Sequence, residues 1–473
     1  MLGKVFKAYD IRGTYPDPLD EAKAWQIGYG TARFLLAEAA KAGDTTPMMK
    51  NIVVGRDMRK SSPSLRDALC KGMNDAGAGV IDVGMVDTPF VYFAVNHLDC
   101  AGGVQVTASH NPPHYNGFKI SRRKAKPVGE TNGLADIRRE AATVDERIKG
   151  SGARRIEERN LWASYTDHVL RFADLKGKSL KVAVDASNGM AGTMMPKVFG
   201  SKGASVPGLE VIEVHYDNTK GEFAHEPNPL VPANLRDVQR ETVEHDCHFG
   251  VCFDGDADRL MVVDEKGVIV GCDLLTAFLA RWFLKTNPGS AIVYDLRSSK
   301  ALAEDVLKAG GKPVRSRVGH VFLKQALAEH KGVFGGELSG HFYFRDNFNA
   351  DSGAIAMAVV LTAIAELGGA GKPLSELIRP IARYAQSGER NFEVEDKDAA
   401  LAALEDKFGD RAEVDDLDGI TLDCFASDGW WCNVRKSNTE PLLRLNLEAR
   451  DRPTMERILN QITPILGRPA AGH

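Results

Sequence analysis

LKVAVDASNGMAG, residues 180–192, decides the fold class of this chain. The stretch is a run rich in β-branched residues that ends in Asp185, continues in small polar residues and then follows a helical pattern. A buried strand followed by a helix has this composition. Because ligands of open α/β sheets bind beyond the carboxyl ends of the strands, the polar residues after the strand are expected to face a ligand crevice.

Two further stretches resemble this one, NIVVGRDMRKSSPSL (51–65) and GSAIVYDLRSSKAL (289–302). Between about residue 50 and residue 380, strand-like apolar runs alternate with amphipathic stretches of helix length. This alternation is typical of α/β domains. Three copies at wide spacing predict three related α/β domains rather than a solenoid of short repeats.

The C-terminal part of the chain has a different pattern. Beyond residue 382, short strands alternate with two amphipathic helices, which predicts a separate α+β domain. We therefore expect four domains, since the chain is too long for a single hydrophobic core. Their expected boundaries are 1–160, 161–268, 269–382 and 383–473.

Composition restricts the class of protein. The chain has 473 residues, of which 43% are apolar and 26% charged, as in soluble globular proteins. A net charge of −4 argues against nucleic acid or a membrane surface as a partner. No run of apolar residues approaches the roughly 20 that a membrane helix requires. The start, MLGKVFKAYDIRG, lacks the apolar core of a secretory signal, and the seven cysteines form no CxxC pair. We expect reduced thiols and a cytoplasmic enzyme.

The strongest functional motif is the acidic cluster in FGVCFDGDADRLMVV (249–263). Asp254, Asp256 and Asp258 alternate with small residues, and carboxylates this close repel one another unless a cation joins them. Glu265 falls at the twelfth position of an EF-hand loop, but Arg259 stands where that loop needs glycine, and a strand-like run follows. The cluster therefore predicts a site for Mg²⁺ or Ca²⁺, with a polar turn as the structural alternative. Arg259 is then available to a phosphate.

Two later motifs suit a phosphorylated sugar. In GGELSGH (335–341), Glu337, Ser339 and His341 stand at alternate positions of an extended loop and can grip vicinal hydroxyls, although a capped turn is an equal alternative. RKSNTEPLLRL (435–445) offers donors for a phosphate dianion, with a turn ahead of a strand as the alternative. These donors are Arg435, Ser437, Asn438 and Thr439, while Arg444 adds a second charge or faces solvent.

The serine in TASHNP (107–112) is a candidate nucleophile. A serine hydrolase is disfavoured, because adjacent residues of an extended loop point to opposite faces and His110 is then poorly placed for the proton of Ser109. No G-x-S-x-G elbow surrounds the serine either. A phosphorylated Ser109 fits better, since its charge would need the cation of the acidic cluster and a base such as Lys119. An N-capping serine is the structural alternative.

Taken in order, these motifs resemble a known family. TASHNP, FDGDADR, GGELSGH and RKSNTEPLLR, spread over more than 300 residues, are similar to motifs of the α-D-phosphohexomutase superfamily. The opening FKAYDIRG (6–13), the GRD of 55–57 and PNPLVPANL (227–235) resemble its phosphomannomutase/phosphoglucomutase branch. The resemblance implies three related α/β domains with mixed sheets and a C-terminal α+β domain, arranged around a central active-site cleft.

The resemblance also implies an activity, the interconversion of hexose 1-phosphate and hexose 6-phosphate, with mannose and also glucose as the sugar. In that family the serine matching Ser109 carries a phosphoryl group, and with Asp254, Asp256 and Asp258 it holds one Mg²⁺ per active site. A hexose 1,6-bisphosphate is the intermediate and activator. The implied partner is a phosphosugar, without nucleic acid or membrane, and the implied assembly is a monomer or weak homo-oligomer.

Further residues receive roles from the resemblance. Lys119 and Arg259 would neutralise charge, His110 would support the serine loop, and His320 in VGHVFLK (318–324) competes with Lys119 as the general acid or base. His320 can equally be a packed residue. The substrate-binding residues that the resemblance implies are Tyr9, Arg12, Arg297, Glu337, Ser339, His341, Arg435, Ser437, Asn438, Thr439 and Arg444.

Two local features refine these expectations. Arg297 stands where several characterised members carry lysine, so we expect a phosphate or hydroxyl contact there and no proton transfer. The SNTEP sequence departs from the R-x-S-G-T-E loop usual among phosphoglucosamine mutases, which favours mannose or glucose phosphates. A phosphoglucosamine mutase and a phosphosugar-binding protein without turnover are the alternatives.

Overall fold

The computed structural model describes residues 2–7, 10–43, 46–153, 155–369, 371–437 and 442–470. It contains two compact units, Met1–Cys272 with Ser339–Glu376, and Asp273–Leu338 with Leu377–His473. All seven cysteines are buried free thiols. Within the described ranges, no helix is both long and apolar enough to cross a membrane.

A mixed six-stranded sheet opens the first unit. Its strands are β1 (Ile11–Thr14), β2 (Asn51–Arg56), β3 (Gly79–Met85), β4 (Gly102–Val106), β5 (Tyr115–Arg122) and β6 (Ile156–Glu158). The helices of this part are α1 (Glu21–Lys41), α2 (Ser62–Asp75), α3 (Thr88–His97) and α4 (Leu134–Thr143). The strand order is β1-β5-β4-β2-β3-β6. β2 runs parallel to β3 and β4, whereas β5 runs antiparallel to β1 and β4.

A second mixed sheet follows in the same unit. Its strands are β7 (Leu180–Asp185), β8 (Leu209–Val214), β9 (Phe249–Phe253), β10 (Leu260–Asp264) and β11 (Ile269–Val270), in the order β11-β10-β9-β7-β8. Its helices are α5 (Trp162–Leu170), α6 (Ala191–Val198) and α7 (Arg236–Glu244). Every residue of β9 and β10 is buried, and the two strands pair antiparallel. The acidic cluster therefore forms the tight connection of a hairpin, and an EF-hand loop is excluded.

The third part of the chain contributes to both units. Its elements are α8 (Cys272–Thr286), β12 (Ala291–Asp295), α9 (Lys300–Lys308), β13 (Lys312–Ser316), α10 (His320–Glu329), β14 (Phe334–Gly336), β15 (Phe342–Phe344), β16 (Ala350–Asp351), α11 (Gly353–Leu367) and α12 (Leu374–Ile378). In the second unit, β12 pairs in parallel with β13 and β14. In the first unit, β15 pairs antiparallel with β16.

The C-terminal part is an antiparallel sheet with helices, as predicted. Its elements are β17 (Ala385–Glu393), α13 (Lys397–Phe408), β18 (Glu413–Asp415), β19 (Ile420–Cys424), α14 (Phe425–Asp428), β20 (Trp430–Lys436), β21 (Leu442–Ala449), α15 (Arg452–Leu466) and β22 (Arg468–Pro469). The strand order is β18-β19-β20-β21-β17-β22. Leu404 of α13 and Ile458 of α15 join Leu445 of the sheet in one buried core, because both helices turn an apolar stripe inward.

The three similar sequence stretches form three similar turns. β2, β7 and β12 are each followed by a helix, which confirms the predicted repeat. At the carboxyl end of each strand, Oδ1 of an aspartate accepts the N–H of the residue two positions later, which closes an Asx turn. The three pairs are Asp57 with Arg59 (3.0 Å), Asp185 with Ser187 (2.8 Å) and Asp295 with Arg297 (2.9 Å). Each of these carboxylates therefore closes a turn at the carboxyl end of its strand.

Candidate active site

Asp254, Asp256 and Asp258 form a buried carboxylate triad in the β9–β10 hairpin. Each offers an oxygen atom, and these atoms lie within 4.8 Å of one another. Oδ1 of Asp256 is buried without a hydrogen-bond partner in the described part of the chain. Converging carboxylate oxygens are the ligands that Mg²⁺ and Ca²⁺ prefer, so the donor set fits a hard divalent cation.

Positively charged groups surround the triad. Lys119 of β5 places its Nζ 2.7 Å from Asp256 Oδ2 and also contacts Asp258. Nε of Arg259 lies 3.7 Å from Asp254 Oδ2. Burial acts to lower the pKa of Lys119, but the charges of Asp256 and Asp258 outweigh it and raise this pKa. The side chain of Lys119 is therefore an ammonium group, as its predicted role of charge neutralisation requires.

The pKa values of two triad carboxylates, Asp254 and Asp258, are shifted in opposite directions. Burial, together with the charges of Asp258 and Asp256, raises the pKa of Asp254 well above its ordinary value. Burial acts in the same direction on Asp258, but Lys119 and His341 outweigh it and lower the pKa of Asp258. The raised pKa of Asp254 thus reflects repulsion among the carboxylates in addition to burial, and a bound cation would offset that repulsion.

Ser109 lies directly against the triad. Its Oγ donates to Asp254 Oδ2 at 2.9 Å, and its own N–H donates to Thr107 Oγ1 at 3.0 Å. The two loops meet closely at Gly255, where an added Cβ would lie 2.4 Å from the carbonyl oxygen of Ser109. Only glycine permits this approach. No described helix begins at Ser109, which lies in the connection between β4 and β5, so the N-cap alternative is wrong.

The prediction that the side chains of Ser109 and His110 point to opposite faces is wrong. Ser109 has a φ of 50°, so its backbone is left-handed and not extended. The two neighbouring side chains consequently share one side, with His110 Nδ1 3.4 Å from Ser109 Oγ. Burial, followed by the charges of Arg259 and Arg12, lowers the pKa of His110 well below its ordinary value. His110 is therefore a neutral imidazole beside the serine hydroxyl.

The N-terminal strand lies next to the serine loop. Arg12 of β1 is paired with Gly117 of β5 in the sheet, and its guanidinium group donates to the side chains of Asp10 and Asn111. Arg12 thus contacts the loop that carries Ser109, through the side chain of Asn111. Tyr9 lies outside the described residues.

Thr88, at the start of α3, contacts the triad residue Asp256, which the sequence did not indicate. Its Oγ1 donates to Asp256 Oδ2, and its N–H donates to the carbonyl oxygen of Asp256 at 3.1 Å. The adjacent Asp87 is fully buried and accepts a hydrogen bond from Tyr165 at 2.7 Å. The only sequence signal for this contact is a D-T-P helix start after a strand, which is common in proteins.

Ser339 and His341 join the triad in the first unit. Ser339 Oγ lies 2.9 Å from His341 Nδ1, and His341 Nε2 lies 3.3 Å from Asp258 Oδ1. The segment is not extended as predicted, because Gly340 between them has a φ of 88°. In the second unit, Glu337 accepts the N–H of Gly319 at 3.0 Å, immediately before His320 at the start of α10. Glu337 and the first turn of α10 are thus brought together.

A cluster of three arginines around Glu389 lies in the second unit. Glu389 of β17 receives hydrogen bonds from Arg444 (2.8 Å), Arg435 (3.0 Å) and Arg297 (3.2 Å). Arg435 and Arg444 face each other in the β20–β21 pair, and Arg444 also donates to Ser437 Oγ at 3.2 Å. Arg444 therefore joins the charged cluster instead of facing solvent. Asn438 and Thr439 lie outside the described residues.

Arg297 is held on two sides. Its Nε and one terminal nitrogen form a bidentate pair with Asp295 at 3.0 and 2.9 Å, and its other terminal nitrogen contacts Glu389. Burial lowers the pKa of Arg297, but the charge of Asp295 outweighs it and raises this pKa, so the group stays charged. The sequence did not indicate a role for Glu389, because its partners lie 46 to 92 positions away and no motif surrounds it.

Glu389→Gln is expected to remove stability in a pH-dependent way. Burial would raise the pKa of Glu389, but the three arginines lower it from 4.5 to about 2. The ion pairs therefore stabilise the fold fully above about pH 4.5 and lose this effect as the pH falls towards 2, by up to roughly 3 kcal/mol. In thermal unfolding, the Tm difference between wild type and variant should be largest near pH 7 and shrink below pH 4.

The control for this experiment is Glu413→Gln, on the exposed side of β18. It should leave Tm unchanged at every pH. A Tm difference for Glu389→Gln that stays constant from pH 3 to pH 7 would contradict the ion-pair account.

Comparison with known proteins gives one consistent result. Sequence profiles of the phosphoglucomutase/phosphomannomutase family match four consecutive segments: alpha/beta/alpha domains I, II and III match residues 3–147, 163–267 and 272–384, and the C-terminal domain matches 389–465. A phosphomannomutase of Escherichia coli K12 is 39% identical over 464 residues, 95% of this chain and 96% of the relative. Phosphohexose mutases of Xanthomonas campestris are 38% identical over 466 residues, 98% of each chain. The crystal structure of a phosphoglucomutase/phosphomannomutase family protein from Burkholderia thailandensis, 32% identical, superposes with a TM-score of 0.85 over 98% of this chain and 96% of that chain.

Proposed function

Because this chain belongs to the phosphoglucomutase/phosphomannomutase family, we propose that it interconverts hexose 1-phosphate and hexose 6-phosphate. We expect mannose phosphates, and also glucose phosphates, as substrates. The observation that carries the proposal is the hydrogen bond from Ser109 Oγ to Asp254, inside a buried triad flanked by Lys119 and Arg259. A serine in this place can donate a phosphoryl group and take one back.

The proposed reaction consists of two transfers of opposite direction. A sugar hydroxyl attacks the phosphorus atom on Ser109, the P–Oγ bond breaks as the new P–O bond forms, and the hydroxyl proton passes to a base. The resulting hexose 1,6-bisphosphate turns around, and Ser109 Oγ attacks its other phosphorus atom. The P–O bond to the sugar breaks as the new P–Oγ bond forms, and the protonated base returns the proton to the sugar oxygen. Phosphoryl transfer depends chiefly on positioning and charge neutralisation. Lys119 and Arg259 supply fixed positive charge at the serine.

A magnesium ion would be held by Asp254, Asp256, Asp258 and a phosphoryl oxygen on Ser109. When bound, it supplies Lewis-acid stabilisation to the transferring group. The protein contributes the orientation of the ligands: Thr88 fixes Asp256, and the N–H of Arg259 donates to Asp254 Oδ1 at 3.2 Å. We propose one such ion per active site.

The remaining predicted residues receive proposed roles in substrate binding. Arg435, Arg444 and Ser437 would anchor the phosphate that does not react, with Asn438 and Thr439 beside them in sequence. Glu337, Ser339 and His341 would hold sugar hydroxyls, and Tyr9 and Arg12 would complete the binding surface. Lys119 and His320 are the two proposed proton-transfer residues, and Lys119, as an ammonium group, would act as a general acid. We retain the division into domains 1–160, 161–268, 269–382 and 383–473, and a cytoplasmic monomer or weak homo-oligomer, as proposals.

A coupled assay tests the function. With mannose 1-phosphate and a catalytic amount of hexose 1,6-bisphosphate, we expect turnover within the usual enzyme range of about 1 to 10³ s⁻¹. The kcat/KM values for mannose and glucose 1-phosphates should exceed that for glucosamine 1-phosphate by at least about tenfold, a difference of about 1.4 kcal/mol.

The other outcomes are also informative. A preference for glucosamine 1-phosphate would identify a phosphoglucosamine mutase and overturn the proposed substrate. Absence of turnover with all three sugars, by protein that is freshly phosphorylated, would overturn the mutase proposal and favour a phosphosugar-binding protein.

A further inference from the structure

The side chain of Arg59, between β2 and α2, is completely buried. A guanidinium group has five N–H donors, and here they match five acceptors. Nε donates to Asp57 Oδ2 at 3.0 Å. The terminal nitrogens donate to four main-chain carbonyl oxygens, those of Ser109 (2.9 Å), Asn111 (2.7 Å), Pro112 (2.6 Å) and Tyr115 (3.1 Å). Every donor is used within the protein, and none is left for a substrate.

Besides Arg59, the loop from Ser109 to Tyr115 is held at Ser109 by Thr107 and Asp254, at the Asn111 side chain by Arg12, and at the His114 carbonyl by the N–H of Tyr15. Pro112 and Pro113 have no N–H, and Ser109 holds a left-handed φ of 50°, which is unfavourable for a residue with a side chain. Two main-chain hydrogen bonds lie within the loop region, from Asn111 to Ala108 and from Tyr115 to Pro112. A carbonyl group that loses its hydrogen bond away from water is costly. Arg59 donates to four carbonyl oxygens of this loop, whereas that of His114 accepts the N–H of Tyr15 and that of Pro112 also accepts the N–H of Tyr115.

Phe223 connects Arg59 with the triad loop. Its ring centroid lies 4.9 Å from the guanidinium carbon of Arg59, a cation–π distance. The same ring packs against Gly255, since an added Cβ there would lie 3.1 Å from two of its atoms. The N–H of Ala224 donates to the carbonyl of Ser187 at 3.2 Å and so anchors the segment that carries the ring.

We propose that Arg59, covered by Phe223, is a positioning residue that fixes the loop 109–115 and thereby the place of Ser109 Oγ beside the carboxylate triad. The consequence for transfer rests on the proposed function, whereas the effect on the loop does not. Lysine cannot replace Arg59, because one ammonium group with three donors cannot reach four carbonyl oxygens and Asp57 together.

The test compares Arg59→Lys with wild type by hydrogen exchange and by kinetics. The peptide covering 107–117 should exchange at least about tenfold faster in the variant, because several amides of this loop lose their order. In the coupled assay kcat should fall by about 10²-fold, while KM changes by less than about threefold, since a misplaced serine slows transfer more than it weakens binding. Arg66→Lys, on α2 and paired with Asp82, is the matched control and should behave as wild type.

The outcomes separate this inference from the proposed function. Unchanged exchange of 107–117 in Arg59→Lys, or a rise in KM with unchanged kcat, overturns the inference. If Arg59→Lys does not fold, the same hydrogen-exchange measurement is made on Phe223→Leu. Hydrogen exchange of the peptide 107–117 that is about threefold faster than in wild type supports the inference, and unchanged exchange overturns it. A wild type that transfers no phosphate overturns the proposed function, while the exchange comparison still decides the role of Arg59.

Discussion

Ser109→Ala is expected to lower turnover with mannose 1-phosphate by at least about 10⁴-fold, because the variant lacks the oxygen atom that carries the phosphoryl group. The fold should persist. Ser109 makes its side-chain bond to Asp254, and its main-chain bonds do not need the hydroxyl. The measurement is the coupled assay, together with phosphate incorporation from hexose 1,6-bisphosphate detected by intact-protein mass spectrometry.

Ser121→Ala is the matched control for this variant. Ser121 is a buried serine of β5, and its hydroxyl donates to the carbonyl oxygen of Gly103 at 3.4 Å, away from the triad. It should keep near-normal turnover and still incorporate phosphate at Ser109. Near-normal turnover by Ser109→Ala would show that the phosphoryl carrier is another residue.

The sequence was sufficient for the acidic cluster, which is contiguous in the chain. FDGDADR lies between two buried strands, so its three carboxylates had to converge in a hairpin, as they do. The strand–turn–helix repeats were also predictable, because each is one short run of residues. The family followed from four ordered motifs, and the comparisons confirm it.

The buried charges whose partners the sequence did not indicate join distant parts of the chain. Glu389 meets arginines 46, 55 and 92 positions away. Arg59 reaches carbonyl groups 50 or more positions further on. Hydrophobic periodicity and motif spacing report on neighbours in sequence, so a buried charge whose partners come from several strands leaves no local pattern.

The error over His110 has a different origin. Adjacent side chains alternate between two faces only where the backbone is extended, as it is in strands. Ser109 instead adopts a left-handed conformation, and its carbonyl oxygen accepts a hydrogen bond from Arg59 and lies against Gly255. Strain of this kind is common at functional sites and depends on the tertiary structure around it, so it could not be foreseen from TASHNP alone.

Removal of the divalent cation is expected to abolish transfer without unfolding the protein. The triad lies in one hairpin that is already anchored by β9, β10 and Thr88, so the fold does not require the ion. Treatment with EDTA should reduce turnover by at least about 10³-fold, since the charge on the transferring group loses its main counter-charge. Added Mg²⁺ should restore it. A large loss of Tm on chelation would instead indicate a structural cation.

A second readout makes this prediction independent of turnover. Binding of Mg²⁺ at ten times its Kd should stabilise the native protein by about 1.4 kcal/mol, visible as a rise in Tm. Asp254→Asn should lose this rise, because it removes one charged ligand from the triad. Asp264→Asn is the control, since this carboxylate also lies in the second sheet but accepts the N–H groups of Lys266 and Val268 in a turn. An equal rise in Tm for Asp254→Asn and wild type would place the cation elsewhere and remove the triad from the proposed mechanism.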